Sequence, residues 1–245
     1  MQNYDFFVVL DAIESTNNYA MEQARAGLAI HGKAWFANEQ WGGKGQRGKK
    51  WVSNKGENIV MSLIVKPSKL FAANPFYLSM LVANICRQFV ADKTNLQTFV
   101  KWPNDIYIDD RKAGGILIEN IFVGKEWQWA VIGIGINVNQ EQFEFTENNP
   151  ISLKSATEQD YIPIALAKEL AQLIITFINK VDNEELKNIY SIFNQHLYKK
   201  NQLVFLKKET AVFETTIIAI NEYGQLITED TIERIFNVGE VEWVK

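Results

Sequence analysis

"TFVKWPNDIYIDDRKAGGILIENIFVGKEWQWAVIGIGINVN", residues 98–139, decides the fold. It holds four largely apolar runs, "TFVKW", "IYI", "RKAGGILIENIFV" and "EWQWAVIGIGINVN", broken only by "PND", "DD" and "GK". Runs this rich in Ile, Val and aromatic residues read as strands. A parallel pair needs a crossover of a dozen or more residues, so connections this short imply antiparallel pairing. Gly114, Gly115, Gly133 and Gly135 lie inside these runs. Glycine weakens a strand interior unless something must approach the backbone closely.

Upstream, "YDFFVVLDAI" is a first strand. Ser15 or Thr16 then stands where a cap would open a helix near 17–26, with Gly27 closing it. "KAWFANEQW" (33–41) and "NIVMSLIVKP" (58–67) are two further strands, the latter stopping at Pro67. Leu78, Leu81, Val82, Ile85 and Phe89 recur at helical spacing between Pro75 and Asp92. Cys86 lies on that stripe and reads as a small buried hydrophobe. Downstream, Leu166, Leu170, Leu173, Phe177 and Val181 mark one helical face, and Leu186, Ile189, Tyr190, Phe193 and Leu197 the next. After Lys199 only short strands and turns remain. The expected organisation is a domain over 1–198 and a small β-barrel over 199–245. The fold class is α+β, a mixed, largely antiparallel sheet flanked by helices.

The chain has 245 residues, 47% hydrophobic and 22% charged, which is enough for a substantial core. No apolar run is long enough to span a membrane, and the N-terminus lacks the cationic region and cleavage site of a signal peptide. One cysteine excludes an intrachain disulfide, and the expected location is cytoplasmic. With a net charge of −4, nucleic acid is not an expected partner, and any basic site is local. Two histidines leave chemistry to Lys, Arg, Asp, Asn and backbone groups.

Four segments carry more polar and glycine residues than a core needs. "ESTNN" (14–18) either caps a helix or presents Ser15, Thr16 and Asn17 to a polar ligand. "EQWGGKGQRGKKW" (39–51) holds four glycines and four cations, Lys44, Arg47, Lys49 and Lys50. It is not a P-loop, since G-x-x-x-x-G-K-[ST] is absent. A Gly-rich segment of like charge cannot bury enough surface to fix itself, so the expectation is a lid that orders over an anion. In "KWPNDIYIDDRKAGGILIE" (101–119), Pro103-Asn104-Asp105 forms a tight turn, and Lys112 beside the paired glycines can neutralise a phosphate. In "GIGINVN" (133–139), Asn137 is either satisfied by backbone or contacts a phosphate or a metal ion's water. Together these segments suit nucleotide activation of a carboxylate, which needs positive charge around an α-phosphate.

"STN", "GGKGQRGKKW", "KWPNDIY", "RKAGGILIE" and "GIGINVN" occur in the order found in biotin protein ligases, and residues 10–140 resemble that family. The resemblance implies a catalytic domain like those of class II aminoacyl-tRNA synthetases, followed by an SH3-like barrel. It implies that biotin and ATP, with Mg²⁺, give biotinyl-5′-AMP, and that the biotinyl group then passes to a lysine of a biotin carboxyl carrier protein. Ser15, Thr16, Asn17 and Gln40 would bind the ureido ring. Gly43, Lys44, Gly45, Gln46 and Arg47 would line the phosphate loop, and Trp51 would close on the adenine side. Lys112 would contact carboxylate and phosphate, Gly114 and Gly115 the biotin chain, and Asn137 the nucleotide or its metal. Asn104 joins the binding set, and Asp105 would steer the acceptor lysine. Lys44 and Gln46 stand where the family's loop usually has arginine. Few residues precede the first strand, which fits the monofunctional type without a DNA-binding domain, as a monomer or weak homodimer. The alternatives are a lipoate–protein ligase and a non-catalytic regulatory or nucleic-acid-binding module.

Overall fold

A computed structural model describes residues 6–143 and 149–244. Seven strands form its main sheet: β1 (Phe7–Ile13), β2 (Ala34–Gln40), β3 (Asn58–Val65), β4 (Thr98–Lys101), β5 (Asp105–Ile108), β6 (Arg111–Val123) and β7 (Glu126–Asn137). Their order across the sheet is β1-β2-β3-β7-β6-β5-β4. The short connections of 98–139 give the antiparallel pairs β4–β5, β5–β6 and β6–β7 that the sequence predicts. β1 and β2 run parallel, and the helix α1 (Thr16–Arg25) supplies the crossover this requires. Ser15 caps α1, its hydroxyl accepting from the Asn18 N–H at 3.3 Å.

Each face of this sheet is covered differently. The larger core gathers α2 (Lys69–Ala73), α3 (Phe76–Thr94), α4 (Leu153–Thr157), α5 (Pro163–Ile178) and α6 (Asn183–Gln195) on one face, burying Phe36, Leu63, Phe71, Leu81, Ile106, Ile132, Leu153, Leu170 and Phe193. Cys86 lies in this core, where burial pushes its thiol pKa far up and leaves it inert. On the other face α1 seats Ala20 against Trp35, Ile64 and Val131. β3 is central to both layers, and every residue of "NIVMSLIV" is buried. No described helix is long and apolar enough to cross a membrane.

The C-terminal strands β8 (Leu203–Lys208), β9 (Ala211–Ile220), β10 (Leu226–Glu229), β11 (Glu233–Phe236) and β12 (Glu242–Val244) make a second, antiparallel sheet in the order β11-β10-β9-β8-β12. Its buried Leu206, Ile217, Ile220, Leu226 and Phe236 join the same apolar cluster as α3 and α6, so the small sheet is packed onto the larger unit. Polar clasps add to this packing. Trp102 Nε1 donates to Gly224 O at 2.9 Å. Lys199 pairs with Asp110 at 2.7 Å, and the Tyr198 hydroxyl donates to the same carboxylate at 2.8 Å. These two bonds hold the Asp110 carboxyl below the usual carboxylate range.

Gly224 is the tightest point of this junction. Its φ is +81°, and an added Cβ would stand 2.4 Å from the Phe76 ring. Gly224→Ala is expected to cost about 2–3 kcal/mol, from left-handed strain plus overpacking. Urea denaturation checks this, and an unshifted midpoint would show that the loop yields without cost.

Candidate active site

On the α1 side of the sheet, strand register aligns Ser62, Gly133 and Leu117 in one row, and Val60, Gly135, Gly115 and Asp105 in the next. Three of these seven positions are glycine, so the middle of this face is bare backbone. Side chains from elsewhere come down onto it. A Cβ at Gly133 would lie 2.3 Å from Asn17 Oδ1, and one at Gly135 would lie 2.4 Å from the Trp51 ring. The close approach that the strand glycines foretell is therefore made at both positions by the chain itself. Gly114 is not on this face; an added Cβ there would meet Gly135 O and Ile136.

Lys112 reaches the bare face through a register shift. Ile106 pairs with Gly114 but Tyr107 with Lys112, so Ala113 is an extra residue in β6. Such a bulge reverses the inside–outside alternation. Without it Lys112 and Gly115, three apart, would face opposite sides. With it, the Lys112 ammonium lies 3.5 Å from the Cβ position of Gly115 and 2.7 Å from Asp105 Oδ1. It also stands 5.9 Å from the centre of the Trp51 ring. Both partners of the Lys112–Asp105 pair are about a fifth exposed, so water and ligand can reach them.

The surrounding polar residues hold this pair in place. Asn104 Nδ2 donates to Ile116 O at 2.6 Å and Ile116 N donates to Asn104 O at 3.0 Å, tying the turn before Asp105 to β6. That turn contains a cis Trp102–Pro103 peptide. The buried Asn137 donates through Nδ2 to the carbonyls of Lys112 (3.3 Å) and Ile151 (3.2 Å), which is the backbone-satisfied alternative of the sequence reading. Tyr107 is pushed up in pKa by burial first and by the Asp105 charge second, so it stays a neutral phenol beside the pair.

Around Asn17 lies a second polar cluster. Thr16 N–H donates to Gln40 Oε1 at 2.9 Å, and the Ser62 hydroxyl sits 2.8 Å from Thr16 Oγ1 and 2.6 Å from Asn17 Oδ1. Asn17 Nδ2 donates to Glu119 Oε2 at 2.8 Å and to Leu117 O at 3.3 Å. The sequence reading grouped Ser15, Thr16, Asn17 and Gln40 but missed Ser62 and Glu119. Each had a signal: Ser62 is a polar residue inside an otherwise apolar strand interior, and Glu119 follows the apolar run "ILI".

The glycine-rich loop closes over one side of these clusters. Trp51 N donates to Gly43 O at 2.9 Å, Gly45 N donates to Lys49 O at 2.7 Å, and Lys44 and Lys50 form an isolated bridge. Gly43 has no room for a side chain, since a Cβ would stand 2.3 Å from Trp51 O and 2.4 Å from Gln40 Nε2. Arg47 turns the loop at φ 57° and packs its guanidinium against Gly239 of the C-terminal sheet. The sequence predicts a segment that orders only over an anion. The loop instead has its own short ladder, while Lys44, Arg47, Lys49 and Lys50 stay exposed. Gln46 is half-buried at its tip.

Residues 9–137 match the biotin/lipoate A/B protein ligase family, more than half of the chain. The chain belongs to that family. The matched span of this ligase-family chain contains both polar clusters, the glycine loop and the Lys112–Asp105 pair. It is 39% identical over 114 residues to the bifunctional ligase/repressor BirA of Escherichia coli, covering 45% of this chain and 34% of that protein. It is 31% identical over 129 residues to the biotin–[acetyl-CoA-carboxylase] ligase of Paracoccus denitrificans, covering 51% and 52%. The chain thus matches from about a third to a half of the length of these relatives. Over 98% of both chains it superposes on the biotin protein ligase from Aquifex aeolicus in complex with biotin and ATP, with a TM-score of 0.79 and 22% identity. That likeness shows a common fold through the C-terminal sheet.

The seat of Trp51 depends on the missing side chain at Gly135. Gly135→Ala would drive a methyl into its ring, so the indole and the loop it anchors are expected to lift. Lys44, Arg47, Lys49 and Lys50 should then be cut by trypsin several-fold faster than in the parent, which timed proteolysis with mass spectrometry measures. An unchanged cleavage rate would show that the loop is held independently of Trp51.

Proposed function

We propose that this chain is an ATP-dependent biotin–protein ligase. The observation that carries the reading is the pairing of two sites on one bare sheet face. A hydrogen-bonding recess of Thr16 and Gln40, backed by Asn17 and Ser62, lies on one side, and the Lys112–Asp105 pair beside Gly115 on the other. A ligand with a polar head, a slim chain and a carboxylate fits that order. Biotin has all three. Lipoate shares the chain and carboxylate, but its dithiolane offers the recess no hydrogen bonds, which favours biotin.

In the first step a biotin carboxylate oxygen attacks the α-phosphorus of ATP. The bond to the bridging oxygen breaks, and pyrophosphate leaves with the electron pair. Mg²⁺ enters as the counter-ion of the nucleotide. Lys112 faces the negative charge that builds on the α-phosphate, inside a site where a single fixed cation acts strongly. Its own pairing with Asp105 keeps the ammonium in place until the anion arrives. The exposed cations of the 43–50 loop would hold the phosphates from above, and the Arg47–Gly239 contact would bring the C-terminal sheet into that closure. In the second step the amine of a carrier-protein lysine attacks the mixed anhydride, forming an amide and releasing AMP. Asp105 is in position to attract that amine once Lys112 has turned to the phosphate. A biotin carboxyl carrier protein is accordingly the proposed partner.

Lys112→Ala is expected to abolish biotin-dependent ATP–pyrophosphate exchange by hundreds-fold, about 3–4 kcal/mol, while the melting temperature holds. Exchange measured with biotin and with lipoate in the parent protein tests the substrate. Near-parental exchange in the variant would remove Lys112 from its role, and exchange with lipoate alone would replace the substrate.

A further inference from the structure

The two residues that the sequence reading missed have a job that follows from counting protons. Glu119 is a carboxylate and Leu117 O a carbonyl, so neither can donate. They hold Asn17 with its Nδ2 toward them and its Oδ1 toward Ser62; the flipped amide would set oxygen against oxygen. Asn17 Oδ1 can only accept, so the Ser62 proton goes to it, over 2.6 Å. The same Ser62 hydroxyl also faces Thr16 Oγ1 at 2.8 Å, so it bridges Asn17 and Thr16. The Thr16 hydroxyl donates in turn to Gln40 Oε1 at 3.3 Å, and the same amide oxygen accepts from Thr16 N–H at 2.9 Å.

The Asn17 end of this chain is thus set by Glu119, and the Gln40 amide by Thr16 N–H. Thr16 Oγ1 keeps a lone pair for a ligand N–H, and Gln40 its Nε2 hydrogens for a ligand carbonyl. We propose that Glu119, acting through Asn17 and Ser62, is a specificity-determining positioning residue that fixes this acceptor-beside-donor pattern for a cyclic urea. The proposal rests on the reading of biotin as the substrate. Neither Glu119 nor Ser62 need touch the ligand. Gly133 belongs to the same device, because any side chain there would push Asn17 out of register with both.

The test is calorimetric titration of the full chain with biotin, alongside the ATP KM in pyrophosphate exchange, for the parent, Glu119→Gln, Glu119→Leu and Ser62→Ala. Glutamine still presents an acceptor to Asn17, so Glu119→Gln should keep biotin affinity within about threefold. Leucine removes the acceptor, and Ser62→Ala removes the relay from inside. Each should weaken biotin by about tenfold or more, the cost of an unsatisfied buried polar group, with the ATP KM moving less than threefold. Ser62→Ala keeps the test open if Glu119→Leu fails to fold. Parental affinity in both disruptive variants would overturn the relay, as would a loss in Glu119→Gln equal to that in Glu119→Leu. So would equal losses for biotin and ATP, the mark of general loosening. A parent protein that bound no biotin would instead remove the substrate reading, and this inference with it.

Discussion

The bareness of β7 at Gly133 and Gly135 is the constraint on which the site depends. Asn17 and Trp51 belong to different segments, one opening α1 and the other closing the glycine loop. Both come to rest within contact distance of the same strand backbone. A methyl at either position would overlap them, so the site could not assemble. Glycine costs a strand some stability, and here that cost falls on the best-buried part of the sheet, where β3 and β6 flank β7 and can bear it. Weak local preference is offset by neighbours on both sides.

The charge distribution follows a similar logic. The chain is acidic overall, yet four exposed cations gather on one loop, and the partly buried Lys112 sits at a bulge. A partly buried lysine with no counter-charge would bear an uncompensated desolvation cost. Asp105 removes that difficulty by pairing with it. Because both groups retain access to water, the pair is screened and modest in strength. Under the proposed function, an anionic phosphate draws Lys112 from Asp105 without large cost, and the pair serves as a holding arrangement.

Much of the architecture could be read before any coordinates. The 98–139 meander, the Ser15 cap and the amphipathic stripes of α3, α5 and α6 are local signals, and each produced the element it implied. The glycine pairs in β6 and β7 marked the site, since their cost had to have a cause. What could not be read were relations across strands. The Ala113 bulge puts Lys112 and Gly115 on one face, but it arises from pairing with β5 and leaves no trace in the alternation of "RKAGGILIE". Likewise Ser62 and Glu119 lie 45 and 102 residues downstream of Asn17 and meet it only because β3, β7 and β6 are adjacent. Gly114 illustrates the converse: paired in sequence with Gly115, it is separated from it by the pleat.

The C-terminal sheet gains its significance from the same neighbour relations. Lys101 lies directly opposite Asp105 in the β4–β5 register. Its ammonium stands 4.8 Å from the Trp243 ring of β12, 4.9 Å from Tyr107 and 5.5 Å from Tyr198. The faces of these rings attract the ammonium and hold it at the end of β4. At the other end of the site, Arg47 rests on Gly239, so the glycine loop touches the same small sheet. The two contacts bracket the bare face: one steadies the strand that bears Asp105, the other the loop that bears the exposed cations. A shift of the C-terminal sheet would therefore act on the Lys112–Asp105 pair and the cationic loop together. That geometry accounts for a peripheral sheet packed into the main core rather than hung from a linker.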